Sequence, residues 1–215
     1  MEKNKNYLND LTEIRSIMER SSRFLSLSGY SGIFAGIFGI LGGVVAYWYF
    51  YHSDFLLGGE VSYISGELSL KMRWFMAIDG AIVLLLALIS AVFFSWIKAR
   101  NLGVPLWDYT TKRVLVNLGI PLFAGGVFIV VLLFYNLLYF LIPVSLLFYG
   151  LALLNAGNYT LSEVRYLGMG EILTGIFALI FLKYGIYFWI FGFGILHIIY
   201  GLIMHFKYDR KQDKA

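Results

Sequence analysis

LVNLGIPLFAGGVFIVVLLFYNLLYFLIPVSLLFYGLALL, residues 115–154, holds one strongly polar side chain between Leu118 and Ser145, that of Asn136. As a single α-helix the stretch would run about 60 Å at 1.5 Å per residue, twice the hydrocarbon thickness of a bilayer. The chain must turn back within it, and Tyr135-Asn136, with Pro143 close behind, is the place. One apolar run therefore reads as two antiparallel membrane helices, the second short.

Composition outside that stretch points the same way. Of 215 residues, 60% are hydrophobic and 14% charged, against roughly 45–50% and about 25% in a soluble domain. A soluble enzyme, a coiled coil and a disordered chain are excluded. The chain has no cysteine, which removes disulfides, iron–sulfur clusters and thiol nucleophiles. Six spans are predicted, near 29–51, 74–97, 114–134, 140–154, 166–182 and 187–206, the last two divided at Lys183-Tyr184-Gly185. The expected fold is all-α, a polytopic transmembrane helical bundle.

Three regions follow. Residues 1–28 carry Leu8, Leu11, Ile14, Ile17 and Met18 at helical spacing, an amphipathic segment expected on the cytoplasmic membrane surface. Residues 29–206 form the six-helix domain, and 207–215 a basic tail. Lys and Arg accumulate in cytoplasmic loops. With the N-terminus inside, only Lys71, Arg73 and Lys183 of the 17 basic residues fall outside, so both termini are expected in the cytoplasm. The tail reads as an anchor of that kind, and no nucleic-acid partner is expected. Membrane lipids are.

Gly29, Gly32, Gly36, Gly39 and Gly43 keep one face of the first span, where a neighbouring backbone can come close. The face is predicted to pack inside its own bundle, with a homodimer seam as the alternative. Arg23, Arg113 and Arg165 each open an outward-going span and precede a Phe-Ala pair by 11, 10 and 12 residues. Three helical hairpins repeated from one unit would explain this. Chance matches between greasy segments, with arginine at every inner interface, would explain it as well.

Ionisable groups inside spans are costly and suggest function. Three stand out: Asp79, Glu171 and His197. Asp79 is expected to pair with Lys71, Arg73 or Lys183, or to sit at the mouth of a pathway. Gly168-x-x-Glu171-x-x-x-Gly175 and Gly194-x-x-His197-x-x-x-Gly201 share one spacing. Each polar residue thus lies on the small-residue face of its helix. If those faces meet, Glu171 and His197 form a hydrogen-bonded or water-bridged pair, with Asn117 and Thr174 as further members. The pair would be a structural contact or a proton or cation site.

Catalytic templates are missing. There is no His-Glu-x-x-His, and His52, His197 and His205 lie at different depths, so neither zinc nor haem ligation is expected. No phosphate loop or nucleophile elbow is present, and no cofactor is expected. Ser21, Ser22, Ser26 and Ser28 beside Arg20 and Arg23 are the sole hint of a lipid-active enzyme.

The stretches ERSSRFLSLSGYSGI, TLSEVRYLGMGEI and FGFGILHIIYGLIMHFKYD resemble a group of uncharacterised bacterial integral membrane proteins, over about residues 11–208. The resemblance implies a small multi-pass protein of the bacterial cytoplasmic membrane and brings no activity, cofactor or catalytic residue. The expected function is non-catalytic: a membrane-embedded protein that binds or transports a small solute, ion or proton. The alternative is a regulatory membrane protein whose helices and basic inner face dock another protein.

Overall fold

A computed structural model of the chain describes residues 27–52, 66–105 and 107–210. The amphipathic N-terminal segment, most of the outer loop and residues 211–215 lie outside these. About 90% of the structure is helical, and no strand occurs among the described residues. The helices are α1 (Gly29–His52), α2 (Gly66–Asn101), α3 (Tyr109–Phe134), α4 (Leu141–Ala156), α5 (Ser162–Ile180) and α6 (185–209). Five stretches are long and apolar enough to cross a membrane: Gly29–His52, Leu70–Asn101, Tyr109–Phe134, Leu138–Ala156 and Leu182–Asp209. The remaining helix, α5, is 19 residues long and carries Glu163, Arg165 and Glu171.

The turn within 115–154 is made by Asn136, which takes a positive φ of 61°. Asparagine tolerates that left-handed conformation better than most residues. The Leu137 amide then donates to the Leu132 carbonyl at 2.8 Å, and a short 3₁₀ turn, Leu138–Phe140, leads into α4. Pro143 sits in the first turn of α4, where its missing N–H leaves nothing unpaired. At the start of α3, Asp108 accepts from the Thr111 amide at 2.6 Å and the Thr111 hydroxyl at 2.7 Å, which caps the helix.

Neighbouring helices follow the order α2, α1, α6, α5, α4, α3. The glycine face of α1 packs on α6 along its length. A Cβ added at Gly32 would lie 2.9 Å from the Gly201 Cα, and one at Gly36 would lie 2.6 Å from the Gly194 carbonyl oxygen. Trp189 Nε1 donates to the Gly39 carbonyl at 3.1 Å. This face is filled by the chain's own α6, which leaves no room there for a second copy.

Where the two termini of the bundle meet, Asp209 joins three helix ends. Its carboxylate accepts from the Gly29 amide at 2.9 Å and lies 2.8 Å from Lys98 Nζ. Lys98 also donates to the Leu27 carbonyl at 2.8 Å. Beside it, Glu163 of α5 meets Lys207 and Tyr208 of α6.

Two hydrophobic clusters of buried side chains hold the helices together. One gathers Phe50, Met72, Leu132, Leu138, Leu141 and Ile186; the other gathers Leu153, Leu161, Leu167, Tyr200 and Met204 near the termini. Near the first cluster α2 and α3 meet, where Arg73 Nη1 donates to the Leu133 carbonyl at 3.4 Å. Farther along they do not pack on each other, and a gap is left between them.

Candidate functional site

The gap between α2 and α3 opens onto a cavity of about 360 Å³ whose walls come from α1, α2, α3, α4 and α6. Its lining is mainly apolar. Asp79, Ser145, Tyr149, Trp189 and His197 are its polar members. Asp79 faces α1 at Gly42, where an added Cβ would lie 3.6 and 3.7 Å from its carboxylate oxygens. His197 is one residue from Ile198, which packs at Gly36. Six residues of α1, about 9 Å, therefore separate the two levels.

His197 is fixed on three sides. It is 5% exposed. Its Nδ1 lies 3.1 Å from the Gly192 carbonyl, and its Nε2 lies 2.8 Å from the Tyr149 hydroxyl. A carbonyl only accepts, so Nδ1 carries a proton. In the neutral imidazole Nε2 then accepts from Tyr149. The Gly192 carbonyl is within reach because residues 190–196 of α6 form a π-helix, and such segments often occur at functional sites.

Glu171 of α5 completes the group. It is wholly buried, with Oε1 3.3 Å from His197 Nδ1. Neither carboxylate oxygen has a hydrogen-bond donor, because the Nδ1 proton is directed at Gly192. A lone buried carboxylate is very costly. Two arrangements avoid that cost, a neutral acid beside a neutral imidazole and a carboxylate beside an imidazolium. They differ only in which group holds one proton.

The structure brings Glu171 and His197 together, though not as the sequence led us to expect. Gly168 and Gly175 face α4, against Gly150 and Leu147; Gly194 and Gly201 face α1, against Ile40 and Ile33. The small faces of α5 and α6 are turned away from each other. The two polar residues meet because Gly192 has no side chain, and a Cβ there would lie 2.7 Å from Glu171 Oε2. The pair is a close contact rather than a hydrogen bond.

Neither further member joins the pair. Thr174 donates to the Gly170 carbonyl at 2.8 Å, and the Asn117 side chain donates to the Arg113 carbonyl at 2.8 Å. Each satisfies its polar group on its own helix, as an isolated polar side chain in an apolar setting does most readily. Asp79 makes no ion pair with Lys71, Arg73 or Lys183. Arg73 is instead directed at α3.

Tyr149 was missed. It is one of 16 tyrosines, and most near span ends read as interfacial. The signal was its position deep in the fourth span, where a hydroxyl needs a partner. Among the described residues, no three His, Asp or Glu side chains gather closely enough to hold a metal ion.

No family model matches this chain, and no curated protein or solved structure is detectably similar to it.

Proposed function

We propose that the chain is a six-span protein of the bacterial cytoplasmic membrane, in three hairpins with both termini inside, and that it binds or moves a small solute through its intramembrane cavity. The reading rests on the cavity itself, which has Asp79 and the Tyr149–His197 pair on its walls. Its mainly apolar lining suits a solute that is apolar over most of its surface, rather than a hydrated ion.

α5 is taken as a further span because its two acids are turned inward and Arg165 lies in its first turn. Glu163 and Glu171 are buried, whereas Tyr166, Met169, Leu173, Ile176, Phe177 and Ile180 are exposed. That gives an apolar face to lipid, and 19 residues make a helix of about 28 Å. Orientation follows the charge count. In spheroplasts, a cysteine introduced at Ser62 should react with an impermeant maleimide and one at Asp213 should not. The reverse would overturn the topology.

The cavity has a direct test. Gly80 and Gly126 line it, and an added Cβ at either meets no atom within 4 Å. Gly126→Leu and Gly80→Leu should fill it without disturbing the fold. The purified protein is expected to bind the neutral fluorophore N-phenyl-1-naphthylamine above micelle background. Both variants should lose most of that binding while melting at or above the native temperature. Equal binding by all three proteins would remove the cavity reading.

The second reading, a non-catalytic protein that docks another chain, draws on the same gap. α2 and α3 leave most of their apolar surface uncovered, and a partner helix could lie there. It predicts no binding of the fluorophore.

A further inference from the structure

We infer that the cavity is built for a hydrophobic monocation, a lipophilic amine or quaternary ammonium, that enters sideways from the membrane between α2 and α3 and is held by Asp79. The inference rests on the cavity reading above and names its ligand class.

Asp79 differs from the other acids whose side chains are described. Asp108 caps α3, Glu163 meets Lys207, Asp209 meets Lys98 and Glu171 meets His197. The first three each have a donor or a cation at hand, and Glu171 has the His197 imidazole 3.3 Å away. Asp79 has none among the described residues, although it is only partly exposed and lies within a span. Unpaired carboxylates inside a bilayer are rare and mark ion or substrate sites. Here the unpaired group lines a cavity whose other walls are apolar and aromatic.

The aromatic walls favour the same sign of charge. Phe75, Phe148, Tyr149, Trp189 and Phe193 line the cavity, with Trp189 and Phe193 in ring contact at 4.6 Å. Aromatic faces attract cations and are a common means of recognising quaternary ammonium groups. An anion would meet an unpaired carboxylate, and among the described residues no Lys or Arg lines the cavity to offset it. A neutral apolar solute would gain nothing from Asp79. A strongly hydrated inorganic cation would lose its water against side chains that offer few oxygens. A cation with an apolar body satisfies both the carboxylate and the walls.

The route follows from the packing. Beyond the Arg73–Leu133 contact, α2 and α3 do not pack on each other, which leaves the side of the cavity between them open. A lipophilic cation first concentrates in the membrane, so a lateral entrance is where it would arrive.

Two ions of matched shape and opposite charge test the assignment. The protein in detergent micelles is titrated with tetraphenylphosphonium, tetraphenylborate and neutral N-phenyl-1-naphthylamine, with the Asp79→Asn variant in the same micelles as the partition control. The phosphonium is expected to bind the native chain, the borate not to bind above background, and Asp79→Asn to weaken the phosphonium at least tenfold. The neutral fluorophore should bind both proteins alike, which also shows that the variant is folded. Borate binding as tight as phosphonium, or a phosphonium affinity unchanged within twofold in Asp79→Asn, would overturn the ligand class and leave the cavity reading intact. Failure of all three probes on the native chain would overturn both.

Discussion

Gly36→Leu protein should melt far below the native chain, with a loss on the order of 3 kcal/mol or more. The site is unforgiving because the neighbours are backbone. A Cβ at Gly36 would lie 2.6 Å from the Gly194 carbonyl oxygen and 2.9 Å from the Ile198 amide nitrogen. Neither can rotate away, so α1 and α6 must separate. That would also strain the Trp189–Gly39 bond and the Asp209 cap on α1. The control is Gly119→Leu in α3, where an added Cβ meets nothing within 4 Å and leucine is the better helix former. Thermal unfolding in one detergent checks both. An unchanged melting temperature for Gly36→Leu would mean that the glycine face is not the α1–α6 seam.

The second large effect belongs to Glu171 and His197, and its signature is asymmetry. Removing the histidine strands two buried groups. In His197→Leu, Glu171 loses the imidazole beside it and the Tyr149 hydroxyl loses its partner, so a cost of about 3 kcal/mol is expected. Glu171→Gln keeps shape, which matters beside Gly192, and leaves the histidine bonded to Tyr149 and the Gly192 carbonyl. It should cost about 1 kcal/mol. The double variant should be more stable than the sum of the single losses implies, with a coupling of about 1–3 kcal/mol. Additive losses, or a Glu171→Gln penalty larger than that of His197→Leu, would show that the two groups do not act as a unit.

How far the residues alone reached can be seen at single positions. Asn136 was readable as the turn because two constraints left it no alternative: the run was too long for one helix, and the one strongly polar residue between Leu118 and Ser145 stood near its middle. Gly36 was readable as packed, because a three-and-four spacing of glycines has few other uses. The partner of that face was not readable. Between helices in lipid there is little hydrophobic driving force, so an apolar stripe does not say which neighbour covers it. For the same reason the small faces at Gly168 and Gly194 were assigned to each other, when they pack on α4 and α1.

By itself, then, the sequence determined the helices, the turn between the third and fourth, and the positions of the costly polar groups. A helix read as crossing a bilayer is tightly constrained by it. The bilayer's thickness sets helix length, and its lack of water forces every backbone group into internal hydrogen bonds. The tertiary structure alone decided what those polar groups meet. The π-helical stretch at 190–196 turned the Gly192 carbonyl toward His197, and the missing side chain at Gly192 admitted Glu171. Tyr149 supplied the third partner from α4. Asp79 was left facing a cavity because α2 and α3 are held by α1 and α4 rather than by each other. Each of these is a matter of which faces come within a few ångströms, set by close packing across helices far apart in the chain, and no local pattern encodes it.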